Sequence, residues 1–163
     1  MSNTIEIREG QQTDIPAALD LIRELAVYEK APNEVIVTEA DMIRDGFGPA
    51  PLFHFYVATL DNEVIGIALT YIRYSTWKGP MLYLEDLVIR EAHRGKGIGK
   101  LLFEKCMKRA SDLNYEGMIW QVLDWNEPAI RFYDKYQSNY SGEWLNGKLT
   151  KTQIDTFFQS ENV

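Results

Sequence analysis

The stretch that most constrains the fold of this chain is a glycine-rich loop between a long apolar strand and a long amphipathic helix. Residues 81–89 are apolar enough for a buried strand, residues 97–113 repeat apolar side chains at helical spacing, and residues 117–123 predict another strand. A strand, a helix and a second strand in this order form a parallel crossover in one sheet. We therefore expect residues 81–123 to make such a crossover in the middle of the sheet.

The other predicted elements are shorter and are separated by brief turns. We expect further strands at residues 5–8, 53–60 and 64–74 and a closing hairpin over residues 140–158. We expect helices at residues 13–29, 38–43 and 126–136. This order predicts an α+β fold, with a central mixed, mostly antiparallel twisted sheet flanked by helices.

Length, charge and cysteine content narrow the class of protein. The 163 residues fit a single domain, residues 1–163, because no linker, repeat or low-complexity stretch interrupts them. The net charge of −7 argues against nucleic acid as a partner and is compatible with a cationic one. The single Cys106 cannot close an intrachain disulfide, so a reducing, cytoplasmic location is expected. No apolar run is long enough to span a membrane, and no membrane partner is expected.

The loop itself runs from Arg94 to Lys100 and carries glycine at every second position between them. Alternate glycines allow backbone N–H groups to surround one ligand, since no Cβ atoms stand in the way. The following helix N-terminus adds unpaired donors and a partial positive charge. The side chains of Arg94, Lys96 and Lys100 add cations. This combination favours a diphosphate as the ligand.

Two familiar nucleotide loops do not match this stretch. A P-loop needs Ser or Thr directly after its lysine, whereas Leu101 follows Lys100. A dinucleotide fingerprint needs a glycine where Lys100 stands. A glycine-rich turn without a ligand remains the structural alternative.

The segment from Arg94 to Gly99 resembles the pyrophosphate loop of the Gcn5-related N-acetyltransferase (GNAT) superfamily, whose fold has the predicted order of elements. Residues 25–29, 45–48, 83–86 and 125–128 are similar to segments of the diamine (spermidine/spermine) acetyltransferases. Residues 74–79 and 122–126 resemble the thialysine N-ε-acetyltransferase branch, and Ser75 stands where polyamine-acting members carry an acidic residue. The resemblance implies a homodimer that transfers acetyl from acetyl-CoA, as co-substrate, to a primary amine of a small cation.

For acetyl-CoA, the resemblance implies contacts from the loop, from the end of the preceding strand and from two later residues. Backbone groups of the strand would pair with pantetheine and polarise the thioester carbonyl. Tyr133 would protonate the leaving thiolate, although its position alone is equally consistent with a core aromatic. The expected coenzyme-binding residues are Leu87, Val88, Ile89, Arg94, Gly95, Lys96, Gly97, Ile98, Gly99, Lys100, Asn126 and Tyr133.

Two acidic residues in the apolar strand are the candidates for proton transfer. A lysine-like amine is neutral in only about one molecule in 2,500 at pH 7, so carboxylates serve both to bind the cation and to deprotonate it. Strand alternation points Glu85 and Asp86 to opposite faces. The resemblance makes Glu85 the catalytic base or its first relay, and Asp86 either assists or holds a structural hydrogen bond. Purely structural roles stay open for both.

Other amine-side candidates carry a weaker signal. Tyr28 and Glu29 end the first helix, and Glu29 resembles a substrate carboxylate in the family, although a solvated helix end explains it equally. Trp77, Trp120 and Gln121 are candidates for lining the amine channel. Both tryptophans are also consistent with packing or with dimer contacts.

No metal site is expected, because His54 and His93 have no partners at metal-ligand spacing. Cys106 lies in an apolar helical stripe and is expected to be a packed thiol. Two other functions stay open, a non-catalytic acyl-CoA-binding module and an acetyltransferase for protein N-termini or lysines. Glu85 and Tyr133 together favour catalysis, since a binding module needs neither.

Overall fold

A computed structural model describes residues 4–160 of the chain. The strands in these residues are β1 Glu6–Glu9, β2 His54–Leu60, β3 Glu63–Ser75, β4 Gly79–Ile89 and β5 Met118–Trp120. The helices are α1 Ile15–Tyr28, α2 Glu39–Phe47, α3 Ile98–Asp112, α4 Glu127–Asp134 and α5 Lys151–Ser160. They belong to two compact units, residues 1–123 with the sheet and α1 to α3, and residues 124–163 with α4 and α5.

The strands form one sheet in the order β1-β2-β3-β4-β5. The first four strands pair antiparallel, and β5 pairs parallel to β4, so α3 makes the predicted crossover. The prediction of an α+β fold with a mixed, mostly antiparallel sheet is therefore confirmed. The prediction that the crossover lies in the middle of the sheet is wrong. Among the described residues β5 is an edge strand of the sheet, so the crossover from β4 to β5 lies at that edge.

Short-range signals in the sequence set several element ends. Asp61 and Asn62, between β2 and β3, have φ angles of 51° and 67°, as the two central residues of a type I′ hairpin turn require. Helix α2 begins with a reciprocal capping box. The N–H of Asp41 donates to the Thr38 hydroxyl at 3.2 Å, and the N–H of Thr38 donates to the Asp41 carboxylate at 3.0 Å.

The first unit buries apolar side chains on both faces of its sheet. On one face α1 and α2 form a cluster with β2, β3 and β4, in which Leu19, Ile67 and Val88 are members. On the other face α3 buries Phe103 and the thiol-bearing Cys106, which has no exposed surface and forms no disulfide. The prediction of a packed thiol is confirmed. Each fully buried large apolar side chain stabilises the fold by about 1.5–3 kcal/mol relative to an exposed one.

The C-terminal hairpin predicted over residues 140–158 is wrong. Residues 138–150 form no strand, and α5 is the last element of the described residues. A second capping box starts this helix, because the N–H of Gln153 donates to the Thr150 hydroxyl and the N–H of Thr150 donates to the Gln153 amide oxygen, at 3.2 and 2.8 Å. Ile154, Phe157 and Phe158 then follow at helical rather than strand spacing.

Candidate functional site

An extra residue in β4 shapes the centre of the candidate site. Leu69 of β3 pairs with Asp86, but the next residue, Thr70, pairs with Leu84, so Glu85 has no residue opposite it. This two-against-one arrangement is a β-bulge. Leu69 belongs to the cluster beneath α1, and residues that pair across a ladder share a face. Asp86 therefore lies on the α1 face of the sheet.

Glu85 lies near the same face. Tyr71 pairs with Tyr83 two residues along β3 from Leu69, so both tyrosines also lie on the α1 face. Burial, and next the negative charge of Glu85, raise the pKa of both tyrosine hydroxyls. The prediction that strand alternation separates Glu85 from Asp86 is wrong, because the bulge interrupts the alternation between them.

The carboxyl group of Asp86 has an unusual protonation equilibrium. Burial raises its pKa from 3.8 to about 7, and the negative charges of Glu85 and Glu29 act in the same direction. Glu29 follows the last residue of α1, and burial raises its pKa as well. Three carboxylates therefore share one negatively charged region of the first unit. Such a region stabilises a bound cation and can take a proton from it near neutral pH.

Two stacked tyrosines lie beside the carboxylates. The ring centroids of Tyr71 and Tyr83 are 4.9 Å apart with an interplanar angle of 26°. The guanidinium carbon of Arg73 lies 6.0 Å from the Tyr83 ring centroid, within the range of a cation–π contact. An aromatic surface bordered by carboxylates is suited to an alkylammonium group. Sequence reasoning missed Tyr71, although its alternation with Leu69 along β3 carried the signal.

The opposite edge of β4 is only partly paired. Strand β5 covers β4 from Leu82 to Leu84, whereas β4 continues to Ile89, so within the described residues the two strands separate at the bulge. Residues 87–89 remain paired with β3 on their other side. Their backbone groups thus lie outside the β4–β5 ladder. This opening is what the predicted backbone role of Leu87, Val88 and Ile89 requires.

The loop after β4 has the backbone of an anion cradle. Gly95 and Gly97 have φ angles of 74° and 80°, in the left-handed region that side-chain-bearing residues rarely adopt. An added Cβ at either position would meet no atom within 4 Å, so the space above both glycines is open. Gly97 precedes α3, and no side chain caps the first N–H groups of that helix. A diphosphate fits this combination of open space, backbone donors and helix dipole.

The three cationic side chains of the loop already have contacts within the protein. Lys96 Nζ donates to the Ala92 carbonyl at 3.2 Å, and Lys100 Nζ lies 4.0 Å from the Glu104 carboxylate on an exposed surface of α3. Arg94 contacts the end of β4 and helix α1. The sequence alone did not indicate these contacts, because each depends on the path of the loop.

Arg94 bridges the end of β4 and helix α1. Its Nε donates to the Ile89 carbonyl at 2.9 Å, and its Nη2 lies 3.4 Å from the Glu24 carboxylate. Its guanidinium carbon lies 5.5 Å from the ring centroid of Tyr28, the last residue of α1. The loop predicted to hold a coenzyme is therefore joined to the helix end predicted to hold an amine. Glu24 is a second residue that sequence reasoning missed.

The predicted tryptophans lie away from the carboxylate face. Trp120 pairs beside Leu84 and packs edge-on against Phe103, with 5.5 Å between ring centroids, so it lies on the α3 face. Trp77 is 84% exposed in the turn between β3 and β4. That turn lies about 20 Å along the strand from the bulge, at 3.3 Å per residue. Gln121 directly follows β5.

Ser75 has a structural role in the same turn. Its hydroxyl oxygen accepts the backbone N–H of Trp77 at 3.2 Å and that of Lys78 at 3.1 Å. A short hydroxyl side chain stabilises such a turn through these local bonds. The position at which polyamine-acting relatives were expected to carry an acidic group is thus used here for turn capping.

The second unit carries the two remaining predicted residues. Asn126 is the N-cap of α4, and its side chain accepts the N–H of Ala129 at 3.4 Å, as its predicted capping position requires. Both Asn126 and Tyr133 are buried, with 8% exposure each. Their roles toward the coenzyme stay predictions.

Within residues 4–160, no group of three His, Cys, Asp or Glu side chains is arranged to hold a metal ion. In the same range, no helix is long and apolar enough to cross a membrane.

Comparison with known proteins decides the family. The sequence model of the acetyltransferase (GNAT) family matches residues 18–137, which include the bulge, the glycine loop and α4. The chain belongs to this family. As a GNAT protein it is 39% identical over 137 residues to the bovine (Bos taurus) thialysine N-epsilon-acetyltransferase, covering 79% of this chain and 81% of the relative. Members of the family use acetyl-CoA.

A second relative and a solved structure are also similar to this chain. The GNAT chain is 34% identical over 135 residues to the human (Homo sapiens) spermidine/spermine N(1)-acetyltransferase-like protein 1, covering 78% of this chain and 19% of that protein. Its fold is similar to that of a crystallised aminoglycoside N-acetyltransferase in complex with CoA, with a TM-score of 0.73 and 16% identity. That likeness covers 91% of this chain and 97% of the other and shows the shared fold.

Proposed function

We propose that this GNAT protein transfers the acetyl group of acetyl-CoA to a primary amine of a small cationic substrate, by direct attack within a ternary complex. One observation carries the proposal. The bulge of β4 brings Glu85 and Asp86 into one negatively charged region with Glu29, beside the stretch where β4 is unpaired with β5. The glycine cradle suited to a diphosphate follows directly in the chain.

The carboxylates have two tasks in this reaction. They bind the amine as a cation, and they then accept the proton whose loss makes the nitrogen nucleophilic. Removing that proton at pH 7 costs about 4.6 kcal/mol for an amine with a pKa near 10.4. Glu85 is the proposed base or first relay, taking the proton directly or through water. Asp86, with its pKa raised to about 7, is the group suited to hold the proton near neutral pH.

The acyl side of the reaction depends on backbone groups and on one tyrosine. The separation of β4 and β5 supports a role for backbone groups of residues 87–89 in binding pantetheine and polarising the thioester carbonyl. The nitrogen then forms its bond to the acyl carbon, the carbon–sulfur bond breaks and the thiolate leaves, and the nitrogen releases its second proton as the amide forms. Tyr133 is the proposed donor of the proton that the thiolate takes up, and the second proton from the nitrogen restores its hydroxyl. Asn126 is proposed to contact the coenzyme.

We propose a thialysine- or lysine-like amine as the substrate, with diamines and polyamines as the alternative. The bovine relative bears the name of a thialysine enzyme, and Ser75 supplies a turn-capping hydroxyl in place of a carboxylate. A second carboxylate distant from the first favours long polycations, because it pairs with their far amino group. The human relative, named for spermidine and spermine, keeps the polyamine alternative in the test.

The decisive experiment is a turnover screen. Purified protein is mixed with acetyl-CoA and one amine at a time, and free thiol release is followed together with the mass of the acetylated product. The panel contains thialysine, lysine, putrescine, spermidine and a peptide with one free amine. Acetylation of a small amine supports the proposal. Coenzyme binding without turnover on any amine supports the acyl-CoA-binding module, and turnover on the peptide alone supports a protein acetyltransferase.

We further propose one domain over residues 1–163, a homodimer and a cytoplasmic location. The family match crosses the boundary between the two compact units, which supports a single functional domain. The outer part of the β3–β4 hairpin exposes Ile72, Tyr74 and Trp77 by 61%, 71% and 84%, an apolar surface suited to a second copy. The reduced thiol of Cys106 is compatible with the cytoplasm. Light scattering of the purified protein tests the dimer.

A further inference from the structure

Glu24 is a carboxylate of α1 that the proposed reaction does not use. Its Oε1 accepts the backbone N–H of Glu91 at 3.0 Å and lies 3.4 Å from Nη2 of Arg94. Its Oε2 lies 3.8 Å from Nη1 of Arg90. The side chain is only 28% exposed, so these interactions are less screened by water than an ion pair on the open surface. One carboxylate thus contacts three residues of the same short stretch.

That stretch connects β4 to the glycine cradle. The N–H of His93 donates to the Arg90 carbonyl at 2.9 Å, and the N–H of Arg94 donates to the Glu91 carbonyl at 3.2 Å, which makes a tight 3-10 turn. The N–H of Arg90 donates to Ile65 of β3 at 2.8 Å. The turn is therefore fixed to the sheet at its start and to α1 through Glu24. Gly95 follows immediately after it.

A carboxylate near a diphosphate site is unfavourable unless it has another task, since the two negative charges repel. Here Glu24 offsets the charge of Arg94, and it holds that guanidinium between the Ile89 carbonyl and the Tyr28 ring. Arg94 is thereby engaged within the protein. The groups that remain for binding the diphosphate are the backbone N–H groups at the start of α3.

We infer that Glu24 is a positioning residue for the coenzyme loop. It fixes the turn before the glycine cradle and, through Arg94 and Tyr28, couples that loop to the amine-side end of α1. The inference rests on the proposed coenzyme site, but it concerns a residue that the proposed reaction does not use. It predicts that loss of the Glu24 charge weakens coenzyme binding while the chemistry of the bound complex is preserved.

The test compares Glu24→Gln with a control on the same helix, Asp20→Asn. Asp20 forms an exposed ion pair with Arg23 of the same helix at 3.5 Å. For Glu24→Gln we expect the KM for acetyl-CoA and the Kd for CoA, the latter from calorimetry, to rise about tenfold. The kcat should stay within about twofold and the melting temperature close to that of Asp20→Asn, because the loop and not the core is loosened. Unchanged CoA affinity in Glu24→Gln, or a loss of kcat at unchanged affinity, overturns the inference.

A double-mutant cycle with Arg94→Gln adds a second readout. If Glu24 acts through Arg94, the double variant binds CoA about as weakly as either single variant. If Arg94 instead binds the diphosphate independently of Glu24, the two losses multiply, and the coupling through Arg94 is refuted. Because CoA binding is measured without an amine, a protein that binds CoA but acetylates nothing refutes the proposed function and leaves this test intact. A wild type that binds no CoA refutes both.

Discussion

Asp86 faces Leu69 across the β3–β4 ladder, although a regular strand would place Glu85 in that position. The consequence is chemical as well as geometric. Asp86 lies on the face of the sheet that carries the apolar cluster under α1, and burial there raises its pKa to about 7. Glu85 remains exposed beside it. Because β4 contains one extra residue, one of two adjacent acidic side chains is partly buried and the other is exposed.

Asp86→Asn tests the group that holds the proton. A base works only when deprotonated, so a pKa near 7 predicts that kcat/KM of the wild type falls as the pH drops below about 7. In Asp86→Asn this acidic limb should disappear, and the rate at pH 8 should fall on the order of 100-fold. Initial rates over about pH 5.5 to 9 with saturating acetyl-CoA measure both effects. An unchanged limb near pH 7 would exclude Asp86 as its source.

Glu85→Gln separates the relay from the proton holder. Glu85 is exposed and is the proposed base or first relay. Because the substrate amine is almost fully protonated at neutral pH, the loss of Glu85 should lower kcat most there. At high pH, where more of the amine is already neutral, the variant should recover part of the deficit. The same pH series measures this. An equal loss at every pH would assign Glu85 a structural role.

Gly97→Ala tests the glycine cradle. At a φ of 80°, an alanine costs roughly 1–2 kcal/mol in backbone strain and places a methyl group in the open space proposed for the diphosphate. We expect CoA affinity to fall at least about tenfold, by calorimetry. Gly147→Ala is the matched control, because an added Cβ there also meets no atom but the φ angle is ordinary. Equal affinity in both variants would contradict the cradle.

Tyr133→Phe tests the proposed general acid. Removal of one hydroxyl from a buried aromatic ring preserves its apolar packing, so the fold and CoA binding should be retained. The kcat should fall about 100-fold or more, because the thiolate leaves without a proton donor. A substrate series with thioesters of lower leaving-group pKa supplies the control, since a better leaving group should reduce the deficit. A variant with wild-type kcat would exclude the role.

Asp14→Asn tests a structural ion pair rather than the site. Arg8 binds the Asp14 carboxylate through both terminal nitrogens, at 2.7 and 2.9 Å, and the pKa of Asp14 is lowered chiefly by this hydrogen-bonded contact. A carboxyl group whose pKa is lower in the folded state stabilises the protein at any pH above its unfolded-state pKa, near 3.9. This stabilisation is lost as the pH falls through the folded-state pKa. The variant should therefore lose about 1–3 kcal/mol of unfolding free energy at pH 7. In urea titrations the difference from wild type should shrink toward pH 3 or below.

Much of the fold followed from local patterns in the sequence. The predicted helix starts at residues 38 and 126 coincide with the capping residues Thr38 and Asn126, and the gap between the predicted strands 53–60 and 64–74 contains the Asp61-Asn62 turn, because each of these signals acts within a few residues of itself. The C-terminal helix was missed because Asn146-Gly147 is a common hairpin-turn pair, whereas the start of the helix is marked by the Thr150–Gln153 capping box. Both are short-range signals, and only the second is used.

The site was predicted less completely, for a different reason. The glycine loop is a contiguous motif, so it could be found from the sequence. The bulge at Glu85 depends on how β3 and β4 align, and the Glu24–Arg94 pair joins residues far apart in the chain. Neither the bulge nor the ion pair produces a periodic pattern in the sequence. The same holds for the raised pKa of Asp86, which arises from its burial and its neighbours in space.

The bulge also has an evolutionary consequence. Deleting Glu85 would remove the one residue of β4 that has no partner, so the pairs Thr70–Leu84 and Leu69–Asp86 would become consecutive and Val88 would stay in the core under α1. A single-codon deletion at this point would thus remove the proposed base while the pairing of the hydrophobic core is kept. Natural variants that lose the site while keeping the fold are therefore expected to arise by loss of this one residue as well as by substitution at residues 85 and 86.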